Sequence, residues 1–195
     1  MPSMRKDRGQ WNLKLQVTAA LMFNRHKLAI RFLDAWLAHS PQDAYALSNR
    51  SHLHALLDNK PQAIADLRVL VAAFPDRSAA DWFNLGFLLD GEGDVAASEA
   101  AFRQALNLDP KLDRAWYGLG LALVRQQRFD EAAAALKRNT ELQPMSPYGW
   151  YQLARVHMDR QQVEEARRII RHLKGFEPKV AAQLEREIGA ASQAA

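Results

Sequence analysis

Five prolines recur at an almost constant interval, and they constrain the fold more than any other feature of this 195-residue chain. Pro41, Pro75, Pro110, Pro144 and Pro178 are separated by 34, 35, 34 and 34 residues. Each follows a run of apolar and helix-forming residues. A proline cannot continue the helix before it, but it suits the first turn of the next one. The interval therefore predicts a chain built from copies of one helical unit.

Other residue types keep the same period. The columns are Trp82, Trp116 and Trp150; Leu85, Leu119 and Leu153; Gly86, Gly120 and Ala154; and Phe102, Leu136 and Ile170. Within one copy the Trp, Leu and Gly fall at i, i+3 and i+4, which places them on one helix face. A turn at residues 90–94 precedes a second helical segment. Each unit is predicted to be two antiparallel helices, with the tryptophans in the core and the glycines at close helix contacts.

The composition supports an all-helical fold and removes several kinds of site. Alanine, the best helix former, occurs 33 times, whereas glycine occurs 9 times and proline 8 times. Cysteine is absent, which excludes disulfides, thiol nucleophiles and thiolate-bound metals. Arginine outnumbers lysine by 18 to 8, and together with the alanine excess this is typical of a bacterial sequence.

The 34-residue pattern resembles the tetratricopeptide repeat, whose signature begins W-x2-L-G. The match is close in residues 79–112, 113–146 and 147–180, and weaker in 10–43 and 44–77, where Arg50 stands where Leu is expected. The resemblance implies a right-handed α-solenoid of five helix pairs. We expect a flexible basic arm over 1–9, an array over 10–189 that ends in a capping helix at 179–189, and a disordered tail over 190–195.

Sequence motifs for catalysis are missing. The chain has no glycine-rich phosphate loop, no G-x-S-x-G and no H-E-x-x-H. His52 and His54 are two residues apart and would point to different sides of a helix. The acidic turn at 90–94 lacks the Gly and Glu that a calcium loop requires at its sixth and twelfth positions. We therefore expect no catalytic residues, no metal site and no cofactor.

The resemblance also implies that the first helix of each unit lines a concave groove. Carried onto this sequence, the predicted groove residues are Lys14, Tyr45, Asn49, His52, Phe83, Asn84, Phe87, Arg114, Tyr117, Leu121, Tyr148, Tyr151, Gln152 and Arg155. This set is rich in aromatic residues and Arg, as protein-recognition surfaces are. Four of them, Phe87, Tyr117, Tyr151 and Arg155, are predicted to form one apolar strip with a charged edge. The carboxylate clamp of chaperone-binding members is disfavoured, because Thr18, Ala80 and Asn84 replace three of its five residues.

These features predict a non-enzymatic scaffold that binds a peptide or a partner helix in the groove. One alternative is self-assembly, in which the N-terminal repeat of one copy docks in the groove of another to give a homo-oligomer. A second is RNA binding, which the dispersed charge argues against, since the net +4 is concentrated only at Arg5, Lys6 and Arg8. No segment has the length and apolarity of a membrane helix, and the N-terminus lacks a secretory signal, so we expect no membrane insertion and a cytoplasmic location.

Overall fold

The computed structural model describes the backbone of residues 3–194 and the side chains of residues 11–189. Within that range the chain forms α-helices and no strands. They are α1 (Ser3–Met22), α2 (His26–His39), α3 (Ala44–Leu56), α4 (Lys60–Ala73), α5 (Ala79–Gly91), α6 (Val95–Leu108), α7 (Asp113–Arg125), α8 (Phe129–Leu142), α9 (Pro147–Asp159), α10 (Val163–Lys174) and α11 (Pro178–Ala194). Each of the five predicted repeats contains one helix pair, so the predicted all-α class and helix-pair organisation are confirmed.

The two ends differ from the sequence expectation. α1 begins at Ser3, so residues 3–9, expected as a flexible arm, continue the first helix. α11 runs to Ala194, so it includes most of the expected tail as well as the capping segment 179–189. Both extensions have the same reason: no proline interrupts residues 3–22 or 179–194, and adding residues to an existing helix is far easier than starting one.

The turns inside the helix pairs repeat as regularly as the prolines. One residue in each has a positive φ: Asn24, Asp58, Gly93, Gln127 and Gln161, at 53°, 59°, 83°, 59° and 60°. This left-handed conformation ends the first helix of each pair. Aspartates begin two other helices, because Asp43 accepts a hydrogen bond from the Ala46 amide at 2.9 Å and Asp94 accepts one from the Ala97 amide at 3.2 Å.

The column tryptophans fasten the proline turns. The Nε1 of Trp82 donates to the Pro75 carbonyl oxygen at 2.8 Å. The same bond joins Trp116 to Pro110 at 2.9 Å and Trp150 to Pro144 at 2.8 Å. All three rings are half-buried, so their prediction as core residues was wrong. The indole needs a partner for its N–H, and the turn carbonyl at the protein surface supplies it.

The chain forms two compact units, Met1–Leu88 and Leu89–Ala195, with the boundary inside α5. In the first unit α1 packs on α2, α2 on α3 and α3 on α4, around Val17, Leu33, Leu47 and Leu70. In the second unit each helix from α6 to α11 packs on the next, around Phe102, Leu123, Leu136 and Leu173.

An ion-pair network explains the Arg in the leucine column of the first unit. Arg50 donates two hydrogen bonds to the buried Asp66, from Nε at 2.9 Å and from an NH2 nitrogen at 2.6 Å. Its remaining nitrogen binds the more exposed Asp34 at 2.7 Å. The hydrogen bonds from Asp66 and Asp34 outweigh burial and raise the pKa of Arg50. Arg50 thus ties α2, α3 and α4 together.

Close helix contacts shape the second unit. A Cβ added at Gly120 would lie 2.7 Å from Leu136, and one added at Gly118 would lie 2.5 Å from the Phe102 ring. Gly149 lies against Asn139, whose side-chain amide donates to the Asp113 carbonyl oxygen at 2.9 Å. Larger side chains at these glycines would force the helices apart, so the close contact predicted at Gly120 is confirmed.

Candidate functional site

The fourteen predicted groove residues all lie outside the core. Seven are exposed: Lys14, His52, Asn84, Phe87, Arg114, Tyr148 and Arg155. The other seven are half-buried: Tyr45, Asn49, Phe83, Tyr117, Leu121, Tyr151 and Gln152. The structure therefore leaves each of them some access to solvent, but their neighbours differ sharply between the two units.

In the first unit, four predicted residues line one cleft of about 400 Å³. We call it the α3–α5 cleft, and its lining consists of Ser48, Asn49, Ser51, His52, Ala55, Leu67, Asn84, Phe87 and Leu88. Sequence reasoning found Asn49, His52, Asn84 and Phe87. It missed Leu67, because this residue lies on the second helix of its pair, whereas the resemblance assigns groove positions only to first helices.

The polar side chains of this cleft retain hydrogen-bonding capacity. The Asn49 amide nitrogen donates to the Tyr45 carbonyl oxygen at 2.8 Å, which fixes the side chain and leaves its Oδ1 as an acceptor. Ser51 donates to the Ser48 carbonyl oxygen at 2.9 Å. Within residues 11–189, the Asn84 amide and the His52 ring have no hydrogen bond to another protein group. Both can therefore pair with a ligand at no cost in lost protein contacts.

An aromatic side chain forms part of the cleft wall. Phe87 is 64% exposed, and its ring stacks on that of Phe83 with 6.3 Å between centroids. Leu88 and Leu67 are buried beside the same cleft. A large apolar side chain exposed next to convergent polar groups is typical of a binding surface.

Lys14 and Tyr45 form a second cluster in the same unit. The Lys14 ammonium lies 5.0 Å from the centre of the Tyr45 ring, within cation–π range. Tyr45 in turn lies 5.3 Å from Trp36, ring centre to ring centre. These contacts occupy both predicted residues with each other, although Lys14 remains exposed.

In the second unit the predicted residues are more heavily paired. Burial raises the pKa of the Tyr117 phenol and proximity to Tyr148 adds to this, while a hydrogen bond with Gln152 opposes it. Arg114 is exposed and Leu121 half-buried on the same helix, α7. Tyr117 and Gln152 therefore belong to one polar contact between α7 and α9.

α11 covers part of α9. The Tyr151 hydroxyl donates to Glu187 at 3.0 Å and accepts from Gln183 at 3.1 Å. Arg155 lies 5.9 Å above the Tyr151 ring and 3.9 Å from the Glu187 carboxylate. Two members of the predicted apolar strip are thus engaged by the last helix. The sequence offered no signal for this, because Gln183 and Glu187 follow the last proline of the repeat pattern.

The part of the chain with described side chains brings no three His, Asp or Glu residues together in a way that could hold a metal ion. None of the helices between residues 3 and 194 is long and apolar enough to cross a bilayer.

Comparison with known proteins agrees with this architecture. Residues 83–144 and 122–175 match the model of the tetratricopeptide repeat family. Among solved structures, the chain is similar to the MamA protein (18% identity, TM-score 0.82, 90% of this chain and 96% of that one). It is also similar to MamA from Desulfovibrio magneticus RS-1 (17%, 0.76, 92% and 96%). A third likeness is to YrrB, described as a TPR protein with an unusual peptide-binding site (16%, 0.79, 87% and 88%). A sequence search of curated proteins finds no match.

Proposed function

We propose that this chain, which belongs to the tetratricopeptide repeat family, is a non-enzymatic scaffold that binds an extended peptide segment of a protein partner in the α3–α5 cleft. One observation carries the proposal: two asparagines, a histidine and an exposed phenylalanine converge on a single open cleft of about 400 Å³. Clefts of this kind, mostly apolar with a few placed polar groups, are the usual form of a ligand site.

The asparagines fit the backbone of an extended peptide. Such a segment presents unpaired N–H and C=O groups, and a side-chain amide offers one acceptor and two donors. Asn49 is held by the Tyr45 carbonyl and so presents a fixed acceptor, whereas Asn84 can offer both kinds of group. Two such amides can bind the main chain without selecting its side chains.

Selectivity would come from the apolar part of the cleft. Phe87, Leu88 and Leu67 line it, and a peptide side chain placed among them would lose contact with water. Burying a Leu, Phe or Met side chain contributes about 1.5–3 kcal/mol. We therefore propose a peptide that carries at least one large apolar side chain between residues held by their backbone.

The structural likeness to YrrB supports a peptide as the ligand. That protein is described as having a peptide-binding site, and it shares the fold at a TM-score of 0.79. The likeness concerns the fold, so the residues of the site proposed here rest on the geometry of this chain alone.

A displayed library of random peptides, selected on the full chain, tests the proposal. The affinity of the selected peptides is then measured for the wild type and for the Asn49→Ala/Asn84→Ala double variant. Asn107→Ala is the matched control, because Asn107 is exposed on α6 and has only a 3.4 Å contact with Gln104. We expect at least about a tenfold loss in the double variant and none in the control, with unchanged melting temperatures. Selected peptides that bind the double variant as well as the wild type would refute the site.

A further inference from the structure

The positive charge of the chain is confined to its first two helices. The first 33 residues contain seven Lys or Arg and one acid, Asp7, for a net charge of +6. The remaining residues have a net charge of −2. The expectation of a dispersed charge was therefore wrong, because the modest total of +4 conceals this asymmetry.

α1 has an open face where the later first helices do not. At the third position of the repeat, Ala46, Ala115 and Gly149 are buried; at the tenth, Leu53, Ala122 and Val156 are buried. These residues belong to α3, α7 and α9, which pack on the helices before them, α2, α6 and α8. The corresponding residues of α1, Asn12 and Ala19, are exposed, because no described helix precedes α1.

Large apolar side chains project from this open side. Trp11 is 68% exposed, Leu15 52%, Met22 76% and Phe23 74%. Trp11, Leu15 and Met22 are spaced i, i+4 and i+11, which places them on one side of the helix, and Phe23 follows its last turn. We call these four residues the α1 apolar face. Scattered exposed apolar residues are normal, but a contiguous set marks an interaction surface.

Cations border the α1 apolar face. Lys14 lines a shallow depression with Trp11, Leu15 and Met22. Arg25 lines a neighbouring one with Phe23. No acidic residue occurs between Asp7 and Asp34. The occupant of this face must therefore be apolar on its contact side and negatively charged around it.

We propose that the α1 apolar face docks on the surface of an anionic lipid bilayer. Tryptophan, phenylalanine and leucine beside Lys and Arg are the composition of interfacial protein surfaces, whose apolar side chains enter the boundary between headgroups and acyl chains. Each Lys or Arg near an anionic leaflet adds to the attraction. The contact is peripheral and involves side chains only.

The other occupants fit less well. Two copies of the α1 apolar face would bring like charges together, since each is bordered by cations. The exposed residues described on α11 are polar or small (Lys179, Gln183, Glu185, Arg186 and Gly189), so that helix offers no apolar counterpart in a second copy. Leu15 and Met22 have no π-face on which a nucleic-acid base could stack. A protein partner would usually find a hydrogen-bonding side chain among the apolar ones, and the face contains none beyond the Trp11 indole.

Vesicle flotation with the full chain tests the proposal. We expect binding to vesicles of phosphatidylcholine with about 30% phosphatidylglycerol, little binding to phosphatidylcholine alone, and release by salt. Trp11→Ser/Leu15→Ser should lower the bound fraction about tenfold, and Lys14→Glu/Arg25→Glu should do the same. Met145→Ser is the matched control, because Met145 is 67% exposed in the second unit, and it should leave binding unchanged. Circular dichroism verifies that every variant keeps its helix content.

Several outcomes would overturn the inference. One is the absence of binding to the anionic vesicles by the wild type, and another is equal binding by both double variants. A third is sedimentation showing that the wild type self-associates and Trp11→Ser/Leu15→Ser does not, without vesicle binding in either case. That result would assign the α1 apolar face to a second copy. Binding of single-stranded RNA that competes with the vesicles and survives Trp11→Ser/Leu15→Ser would assign the cations to nucleic acid instead.

Discussion

The same repeat positions have opposite fates in the two units. At the sixth position, Asn49 and Asn84 of the first unit line an open cleft. In the second unit that position holds Gly118, against which the Phe102 ring packs, and Gln152, which binds Tyr117. At the ninth position His52 and Phe87 are exposed in the first unit, whereas Arg155 of the second pairs with α11. A position in the repeat therefore makes a residue available for binding only where neighbouring helices leave it unpaired.

The largest expected effect concerns the support of the α3–α5 cleft. Asp66→Ala would leave Arg50 without its buried partner, and breaking such a pair should cost about 2–4 kcal/mol of unfolding free energy. Asp34→Ala is the control: that carboxylate is 52% exposed and its loss should cost less than about 1 kcal/mol. Denaturant titration measures both. Equal losses would mean that Arg50 does not tie α3 to α4 as the structure indicates.

Close packing in the second unit should be nearly as sensitive. Gly120→Leu would force a side chain against the fully buried Leu136, at a cost of about 1–3 kcal/mol. Gly189→Leu introduces the same side chain on α11, where nothing lies within 4 Å of an added Cβ, and it should be neutral or slightly stabilising. Thermal melting of the two variants compares them directly. A stable Gly120→Leu protein would contradict the close contact of α7 with α8.

The pairing of α9 with α11 should contribute less. Glu187→Ala removes the acceptor for Tyr151 and Gln183 and the partner of Arg155, for a loss of about 1 kcal/mol. Hydrogen exchange of the α11 amides should then become faster. Glu185→Ala, which removes only an exposed pair with Lys174, serves as the control. If α11 exchanges equally in both variants, the inner surface of the second unit is not closed by Glu187.

The smallest effect is a dependence on pH in the second unit. Burial alone would raise the pKa of Glu99, but hydrogen bonds from Gln126, Arg103 and Arg128 outweigh it and hold the pKa below its ordinary 4.5. A carboxylate with a lowered pKa stabilises the fold above its ordinary pKa, and that stability is lost as the pH falls through the lowered value. The unfolding free energy of wild type should therefore decline more steeply below about pH 4.5 than that of Glu99→Gln. Parallel pH profiles would contradict this role.

Much of the fold was predictable because a 34-residue period leaves little freedom. Prolines at that interval fix the ends of the helix pairs, and the Gly120 column marks a close helix contact. The period failed where a residue acts through a partner outside the pattern. Arg50 was identified as a departure from the leucine column, but its two aspartates lie 16 residues away on either side. The tryptophans keep the period and still serve the turns rather than the core.

The candidate site was predictable only in part. The resemblance identified residues on the inner side of the first helices, and none of them is buried. It could not separate Phe87, which is exposed, from Tyr151, which is bound to Glu187 and Gln183. That distinction depends on where α11 packs, and residues beyond Pro178 do not belong to the repeat. The open face of α1 was missed for a similar reason, since exposure at an end of the array follows from a missing neighbour.

The most direct test compares Phe87→Ala with Tyr151→Ala for the peptides selected on the wild-type chain. Both changes remove one aromatic ring from a first helix of the array, one in the α3–α5 cleft and one under α11. We expect Phe87→Ala to lose about 2 kcal/mol of binding, roughly thirtyfold in Kd, with its melting temperature unchanged. Tyr151→Ala should bind the peptides within about twofold of wild type. Full affinity in Phe87→Ala together with a loss in Tyr151→Ala would contradict the account and place the binding surface on α9.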